Sequence, residues 1–265
     1  MLNCLEFPHP QLNALLEQGI LTLSIQRPEA RNALNAELYI LITQALEEAD
    51  QSPHVRVVIL RGNDTDFTAG NDMKYFLQVS QMIDIEMATS SPPFMFLKSL
   101  ARFSKPLIAA IRGVAIGVGV TLLFHCDLVY ADHTARFQLP FVHLGLSSEG
   151  ASSLLLSPQA GYHLAAELLF TGQKFNADKA LTARFINEIV ADPYLHAELQ
   201  ARHIAALPSA ALKTIKSQMK HHLEHMIECI DHKAKTVAQR IKSPEMLEAV
   251  MAFLQKRAPD FTQFN

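Results

Sequence analysis

The chain has 265 residues, of which 49% are hydrophobic and 18% are charged, and a chain of this length buries about three quarters of its unfolded surface. Its net charge of −3 gives no support for nucleic-acid binding, and Cys4, Cys126 and Cys229 lack the spacing of a disulfide framework or a zinc site. The N-terminus does not resemble a secretory signal, and no apolar run reaches membrane-spanning length. We therefore expect a cytoplasmic protein that binds neither metal, membrane nor nucleic acid.

The first 60 residues predict a strand, a helix and a second strand. Leu21, Leu23 and Ile25 alternate with polar residues, which is the period of a half-buried strand. From Asn35, which has the side chain of a helix cap, apolar residues recur at helical spacing. The continuous β-branched and aliphatic run at 55–60 is typical of a strand that is covered on both faces.

Strand-like and helical patterns continue to alternate up to about Pro193. In order, they are a polar loop at 61–76, a short helix before Pro92, a helix at 94–103, a buried strand at 105–111, a turn at Gly113, a helix through Leu122 and Leu123, a strand at 127–131, a helix at 162–170, and a helix followed by a strand within 175–190. This alternation predicts an α/β fold. Because the rest of the chain has helical patterns, we divide it into an α/β core at 1–193 and a helical C-terminal region at 194–265.

Two glycine-containing loops follow predicted strands. TAGND at 68–72 follows the strand at 55–60, and AIGVGV at 115–120 follows the strand at 105–111. Both loops place backbone N–H groups at the carboxyl ends of strands, where α/β proteins bind ligands. The second also opens a helix, whose first N–H groups favour an anion. On spacing alone, glycines that permit close helix packing are the simpler explanation, since no dinucleotide or P-loop motif is present.

One carboxylate, Glu149, lies within the otherwise apolar stretch at 137–156. Its simplest role is in the first turn of a helix, where an acidic side chain stabilises the helix dipole by about 0.3–1 kcal/mol. The apolar residues around it, Leu144, Leu146 and 154–156, indicate partial desolvation, which raises the basicity of a carboxylate. Glu149 is therefore the candidate catalytic base.

The twelve histidines offer weaker candidates. His221, His222 and His225 have helical spacing that allows a metal site, but a solvated helix face explains them more simply. His125 and His143 lie in apolar surroundings and are expected to be hydrogen-bonded core histidines. A serine hydrolase is disfavoured, since the GxSxG motif does not occur.

Five segments follow one another over nearly the whole chain: RPEARNALN, FTAGNDMK, KPLIAAIRGVAIGVGVTLLFHCDLVYAD, FQLPFVHLGL and SPEMLEAVMAFLQKRAPDF. They resemble the successive motifs of the enoyl-CoA hydratase/isomerase (crotonase) superfamily. The resemblance implies a crotonase-like spiral of ββα units with a helical C-terminal trimerisation region, and a homotrimer or a dimer of trimers. It also implies an acyl-CoA thioester as substrate, with CoA entering as part of that substrate and no further cofactor.

The resemblance further implies the residues of the site. In the family, an oxyanion hole is formed by two main-chain N–H groups, which correspond to those of Asn71 and Val118 here. The positions that correspond to substrate-binding residues are Ala30, Arg31, Ala69, Gly70, Asp72, Met73, Lys74, Gly117, Phe141 and Lys256. Of these, Lys256 resembles a residue that reaches the CoA of a neighbouring subunit.

Two departures from the family pattern bear on the reaction. Hydratases of the family carry two glutamates, at positions that hold Thr121 and Phe141 here. PFVHLGLSSEG and the GND of the first loop instead resemble the peroxisomal-type 3,2-trans-enoyl-CoA isomerases, in which one glutamate at the position of Glu149 is the base. We therefore expect such an isomerase. The alternatives are an enoyl-CoA hydratase or other crotonase-fold acyl-CoA enzyme, and a non-catalytic acyl-CoA-binding protein.

Overall fold

The computed structural model describes residues 8–82 and 84–264, so Cys4 lies outside the described residues. Within these ranges, the chain forms ten strands and eleven α-helices. The strands are β1 Pro8–His9, β2 Leu12–Glu17, β3 Ile20–Ile25, β4 Val57–Arg61, β5 Leu107–Ile111, β6 Val114–Ile116, β7 Leu128–Ala131, β8 Arg136–Gln138, β9 Phe175–Asn176 and β10 Glu188–Ile189. The helices are α1 Ala36–Gln51, α2 Met73–Met82, α3 Pro92–Arg102, α4 Val118–Thr121, α5 Ser152–Ala160, α6 Tyr162–Thr171, α7 Ala177–Thr182, α8 Pro193–Ala205, α9 Ser209–Met219, α10 Leu223–Ile241 and α11 Pro244–Leu254.

The strands form two sheets. The larger sheet has seven strands in the order β1-β2-β3-β4-β5-β7-β10, antiparallel from β1 to β3 and parallel from β3 onward. The smaller sheet has the order β6-β8-β9, with β6 and β8 parallel. The predicted α/β class is confirmed.

The central strand β4 is covered on both faces, as its unbroken apolar sequence predicts. Successive residues of a strand point to opposite faces of the sheet. Val58 and Leu60 accordingly join the large core cluster that contains α1 and α3, whereas Val57 and Ile59 join a second cluster that contains Ala197 of α8. The first helix of the C-terminal region therefore packs directly on the core sheet.

Helix α1 begins where its cap predicts. The Oδ1 atom of Asn35 accepts a hydrogen bond of 2.9 Å from the backbone N–H of Leu38. The helix buries one apolar face, on which Leu38, Tyr39 and Ile42 are fully buried. This face carries the Tyr39 ring into the interior of the protein.

The predicted helical nature of the chain beyond Pro193 is confirmed. Pro244 is the first residue of α11, and Pro208 precedes α9 as its cap. Helix α10 packs on α3, where the Nζ atom of Lys98 lies 2.9 Å from Oδ1 of Asp231. Among the described residues, no helix has both the length and the apolarity needed to cross a bilayer. Trimerisation and the division between residues 193 and 194 stay predictions.

Three elements next to the two glycine loops differ from the sequence prediction. Residues 114–116 form β6, which is too short to give a periodic signal. The predicted helix through Leu122 and Leu123 divides into the four-residue α4 and a 3₁₀ turn at Leu122–His125. In addition, α2 begins at Met73, inside the segment that was predicted to be a loop.

The first glycine loop is bound to β6 by parallel pairing. The N–H of Thr68 donates to the carbonyl oxygen of Val114 at 2.9 Å, and the N–H of Ile116 donates to the carbonyl oxygen of Thr68 at 3.1 Å. Two residues further on, Gly70 has a φ of +87°, and a Cβ atom there would lie 2.5 Å from the carbonyl oxygen of Ile116. The close approach of the two loops therefore requires glycine at this position.

We predict that Gly70→Ala lowers the thermal midpoint of unfolding more than Gly161→Ala. Both glycines have a positive φ, a backbone conformation that L side chains rarely adopt, so alanine is strained at either position. A Cβ at Gly161 would have no neighbour within 4 Å, so this variant is the matched control without the collision. Equal losses at equal protein concentration would show that the two loops move apart freely.

Candidate active site

A cavity of about 1070 Å³, counting the space at its mouth, lies where the two glycine loops meet. Its walls come from both loops, from helices α1, α2 and α3, from the segment at 140–149 and from α10. The apolar and aromatic lining residues are Tyr39, Met73, Tyr75, Phe76, Pro93, Phe94, Ile116, Pro140, Phe141, Leu144, Leu146, Val237 and Ile241. Among the described lining residues, Glu149 is the only acidic side chain.

Eight of the residues predicted for the site line this cavity. They are Ala69, Gly70, Asn71, Met73, Gly117, Val118, Phe141 and Glu149. The structure thus brings the candidate base, both candidate oxyanion donors and five of the candidate binding residues together around one space, although they come from three separate segments of the chain.

The other five predicted binding residues lie outside the cavity lining. They are Ala30, Arg31, Asp72, Lys74 and Lys256. The side chains of Arg31 and Asp72 form ion pairs of 2.9 Å with Asp66 and Arg27, whereas Lys74 and Lys256 are exposed. Contacts between these five residues and CoA stay predictions.

The two candidate oxyanion donors lie at matching positions on two segments of the chain that pair with each other. Asn71 is three residues after Thr68 and Val118 is three residues after Ala115, and Thr68 and Ala115 are paired in parallel. Leu34 bonds to the carbonyl of Gly70 and to the N–H of Asp72, which leaves the peptide N–H of Asn71 facing away from Leu34. Within the described residues, neither this N–H nor that of Val118 donates to another group.

Tyr39 belongs to this site, although the sequence analysis did not identify it. Its ring is fully buried and lines the cavity, and its hydroxyl donates to the Oδ1 atom of Asn71 at 2.6 Å. The contact holds the side chain of Asn71, which also lines the cavity. Tyr39 occupies an apolar position of α1, so the sequence gives no sign that its hydroxyl has this partner.

Glu149 lies before α5 rather than in its first turn, which corrects the sequence prediction. The helix begins at Ser152 because Gly150 and Ala151 both have left-handed backbone conformations, with φ of +63° and +58°. The carboxyl side chain of Glu149 is 7% exposed, and the hydroxyl of Thr121 donates to its Oε1 atom. Thr121 stands where the family's hydratases carry a glutamate.

Burial dominates the electrostatics of Glu149. Desolvation raises the pKa of its carboxyl group to about 7, while the Thr121 hydrogen bond and the positive charge of Lys233 oppose this rise. Near neutral pH the group therefore populates both its protonated and its ionised form. This is the range in which a carboxylate both removes and returns a proton efficiently.

The candidate histidines differ in their burial. The Nε2 atom of His125 lies 2.9 Å from the carbonyl oxygen of Gly150, and burial lowers its pKa to about 4, so this core histidine is neutral and hydrogen-bonded as predicted. His143 also bonds to a carbonyl oxygen, that of Thr171, but is exposed rather than buried. His221, His222 and His225 are exposed. No group of three potential metal-ligating side chains occurs in the part of the chain that the structure describes.

The model of the family named enoyl-CoA hydratase/isomerase matches residues 16–264. The chain belongs to this enoyl-CoA hydratase/isomerase family. Human enoyl-CoA delta isomerase 2 is 32% identical over 247 residues, which are 91% of this chain, but the chain spans only 62% of the length of that relative. The 2,3-dehydroadipyl-CoA hydratase of Escherichia coli is 31% identical over 251 residues, which cover 92% of this chain and 96% of the relative.

The crotonase-like fold is confirmed by solved structures of the enoyl-CoA hydratase/isomerase family. The crystal structure of a candidate enoyl-CoA hydratase/isomerase from Acinetobacter baumannii superposes with a TM-score of 0.90 and is 61% identical, over 93% of this chain and all of that chain. Because isomerases and hydratases of the family are similar to this chain at nearly equal identity, overall similarity does not choose between the two reactions.

We predict that Thr121→Val raises the pKa of the Glu149 carboxyl group above about 7, because the hydroxyl bonds to the ionised carboxylate and valine preserves the volume. The pKa is measured by ¹³C NMR titration of protein labelled at its glutamate carboxyl groups. Thr43→Val is the control, since the buried Thr43 hydroxyl donates to the carbonyl oxygen of Tyr39 instead. A titration of Glu149 that is identical in all three proteins contradicts the prediction.

Proposed function

We propose that the protein is a 3,2-trans-enoyl-CoA isomerase, which converts a 3-enoyl-CoA into a trans-2-enoyl-CoA. The observation that carries this proposal is the single carboxylate of the cavity. Glu149 is the only acidic side chain among the described residues of a mostly apolar and aromatic lining, and the two positions at which the family's hydratases carry glutamates hold Thr121 and Phe141.

The proposed reaction needs one proton removed and one proton returned. The ionised Glu149 carboxylate takes a proton from C2, and the electron pair of that C–H bond forms a dienolate whose charge lies on the thioester oxygen. Glu149, now protonated, gives the proton to C4, the thioester carbonyl re-forms, and the double bond has moved from between C3 and C4 to between C2 and C3. A positioned base of this kind contributes about 10²- to 10⁴-fold in rate.

The backbone N–H groups of Asn71 and Val118 are the proposed donors to the dienolate oxygen. Their lack of other partners among the described residues supports this role, since a free donor is already oriented before charge develops. Each such donor contributes roughly 3–4 kcal/mol in comparable sites. Since both donors are main-chain groups, the Asn and Val side chains do not compromise this function.

Hydration is disfavoured because it requires a second group to activate water. Phe141 offers no acid or base, and the Thr121 hydroxyl is already bonded to Glu149. The apolar lining also lowers the occupancy of water next to the conjugated product. The single carboxylate can therefore shift a double bond, whereas addition of water lacks one of its two catalytic groups.

We predict that Glu149→Gln lowers kcat for isomerisation of a 3-enoyl-CoA by about 10²- to 10⁴-fold, because the amide cannot accept the C2 proton. The acyl-CoA dissociation constant, measured by calorimetry, should change little. The wild-type protein should add water to a trans-2-enoyl-CoA far more slowly than it isomerises the 3-enoyl-CoA. Turnover retained in Glu149→Gln excludes this residue as the base, and faster hydration than isomerisation favours a hydratase.

A second prediction concerns the fate of the transferred proton. With substrate deuterated at C2, part of the deuterium should appear at C4 of the product, because one nearly buried carboxyl group carries it between the two carbons. Mass spectrometry and NMR of product from a single turnover measure the retained fraction. Complete loss of the label to solvent at the earliest times would show that water or a second residue protonates C4.

A further inference from the structure

The segment that leads to Glu149 is held by two cationic side chains of α10. The Nζ atom of Lys233 donates to the carbonyl oxygen of Ser148 at 3.2 Å and to its hydroxyl at 3.0 Å. Seven residues further along, the Nε atom of Arg240 donates to the carbonyl oxygen of Gly145 at 2.8 Å. Leu146 and Ser147 lie between these two contacts and line the cavity, and the candidate base Glu149 directly follows Ser148.

Lys233 lies on the helix face that forms the cavity wall. Val237 and Ile241, four and eight residues later, line the cavity, and residues at this spacing share one face of a helix. The side chain of Lys233 is half-buried at the end of this face that is nearest to Ser148. Its position in the fold therefore places an ammonium group beside the residue that precedes Glu149.

The two cations differ in their charge partners. Arg240 forms an ion pair of 3.0 Å with Glu245. Within the described residues, Lys233 has no carboxylate within 4.0 Å, and Glu149 itself lies beyond that distance. The ammonium charge of Lys233 is thus left uncompensated by a direct pair, and it acts on Glu149 through space without occupying the oxygen atoms that must receive a proton.

We propose that Lys233 is a positioning residue of the proposed isomerase, which fixes the segment carrying Glu149 and whose positive charge favours the ionised carboxylate. This inference rests on the proposed function. It assigns helix α10 a part in preparing the base, in addition to forming an apolar wall of the cavity.

The other titratable groups around Glu149 leave Lys233 as its source of positive charge. Tyr39 of α1 and Tyr75 of α2 line the same cavity, and burial raises the pKa of both phenols, so they are neutral. His125 is neutral because burial lowers its pKa to about 4. Cys229, one turn before Lys233, is a neutral thiol, since burial raises its pKa.

Burial also lowers the pKa of Lys233, while Cys229 and Glu149 oppose this shift. The Lys233 charge therefore acts to lower the pKa of Glu149 and the Glu149 charge acts to raise the pKa of Lys233, as expected for an ammonium and a carboxylate. In the isomerase cycle, the positive charge of Lys233 increases the fraction of Glu149 that is ionised when substrate arrives.

The test compares Lys233→Gln, which keeps a donor to Ser148 but removes the charge, with Lys233→Arg, which keeps both. The pH dependence of kcat and of kcat/KM is measured for isomerisation of a 3-enoyl-CoA. We expect Lys233→Gln to move the acidic limb of both profiles upward by about one pH unit, and Lys233→Arg to leave the limb near that of the wild type. Lys235→Met is the matched control, since Lys235 lies on the same helix but pairs with Glu86 at 3.1 Å.

A loss of rate that is equal at every pH, with no shift of the limb, would overturn the electrostatic role and leave Lys233 a purely structural residue. The ¹³C NMR titration of Glu149 in the unliganded protein separates this outcome from a failure of the proposed function. If the wild type does not isomerise 3-enoyl-CoA, the proposed function fails, and the pKa of Glu149 in Lys233→Gln still decides the inference. An unchanged pKa would reject it.

Discussion

The candidate site depends on the parallel pairing between the first glycine loop and β6. Thr68 exchanges hydrogen bonds with the two residues that flank Ala115, and Asn71 and Val118 each follow three residues after this paired position. In the proposed reaction, oxyanion stabilisation would require donors that are fixed before charge develops, and this pairing fixes the two glycine loops relative to each other. Gly70 permits the close approach, and the Tyr39 hydroxyl holds the Asn71 side chain from the opposite side.

The second constraint is the burial of one carboxylate. Transfer of Glu149 out of water destabilises its ionised form, and a hydroxyl from α4 and a nearby ammonium group from α10 only partly offset that effect. The result is a group whose pKa lies near neutrality. With a second carboxylate beside it, the two groups would titrate as a coupled pair, and with no donor at all the base would be protonated at neutral pH.

The sequence predicted the features that recur over many residues or that depend on neighbouring residues. The apolar run of β4, the periodic face of α1 and its Asn35 cap each carry a local signal, and each is present in the structure. Strand β6 has three residues and α4 has four, which is too short for any period to be recognised. The start of α5 was misplaced because Ala151 adopts a left-handed conformation that its side chain does not announce.

The contacts that complete the site join residues that are far apart in sequence, and for this reason no local pattern reveals them. Tyr39 and Asn71 are 32 positions apart, and Lys233 and Ser148 are 85 apart. Both Tyr39 and Lys233 occupy ordinary helical positions, so only the packing of α1 and α10 on the cavity gives their polar ends a partner. Under the proposed function, the fold shared by the family supplies the two glycine loops, and the reaction is decided by which side chains these helices and the segment before α5 present to the substrate.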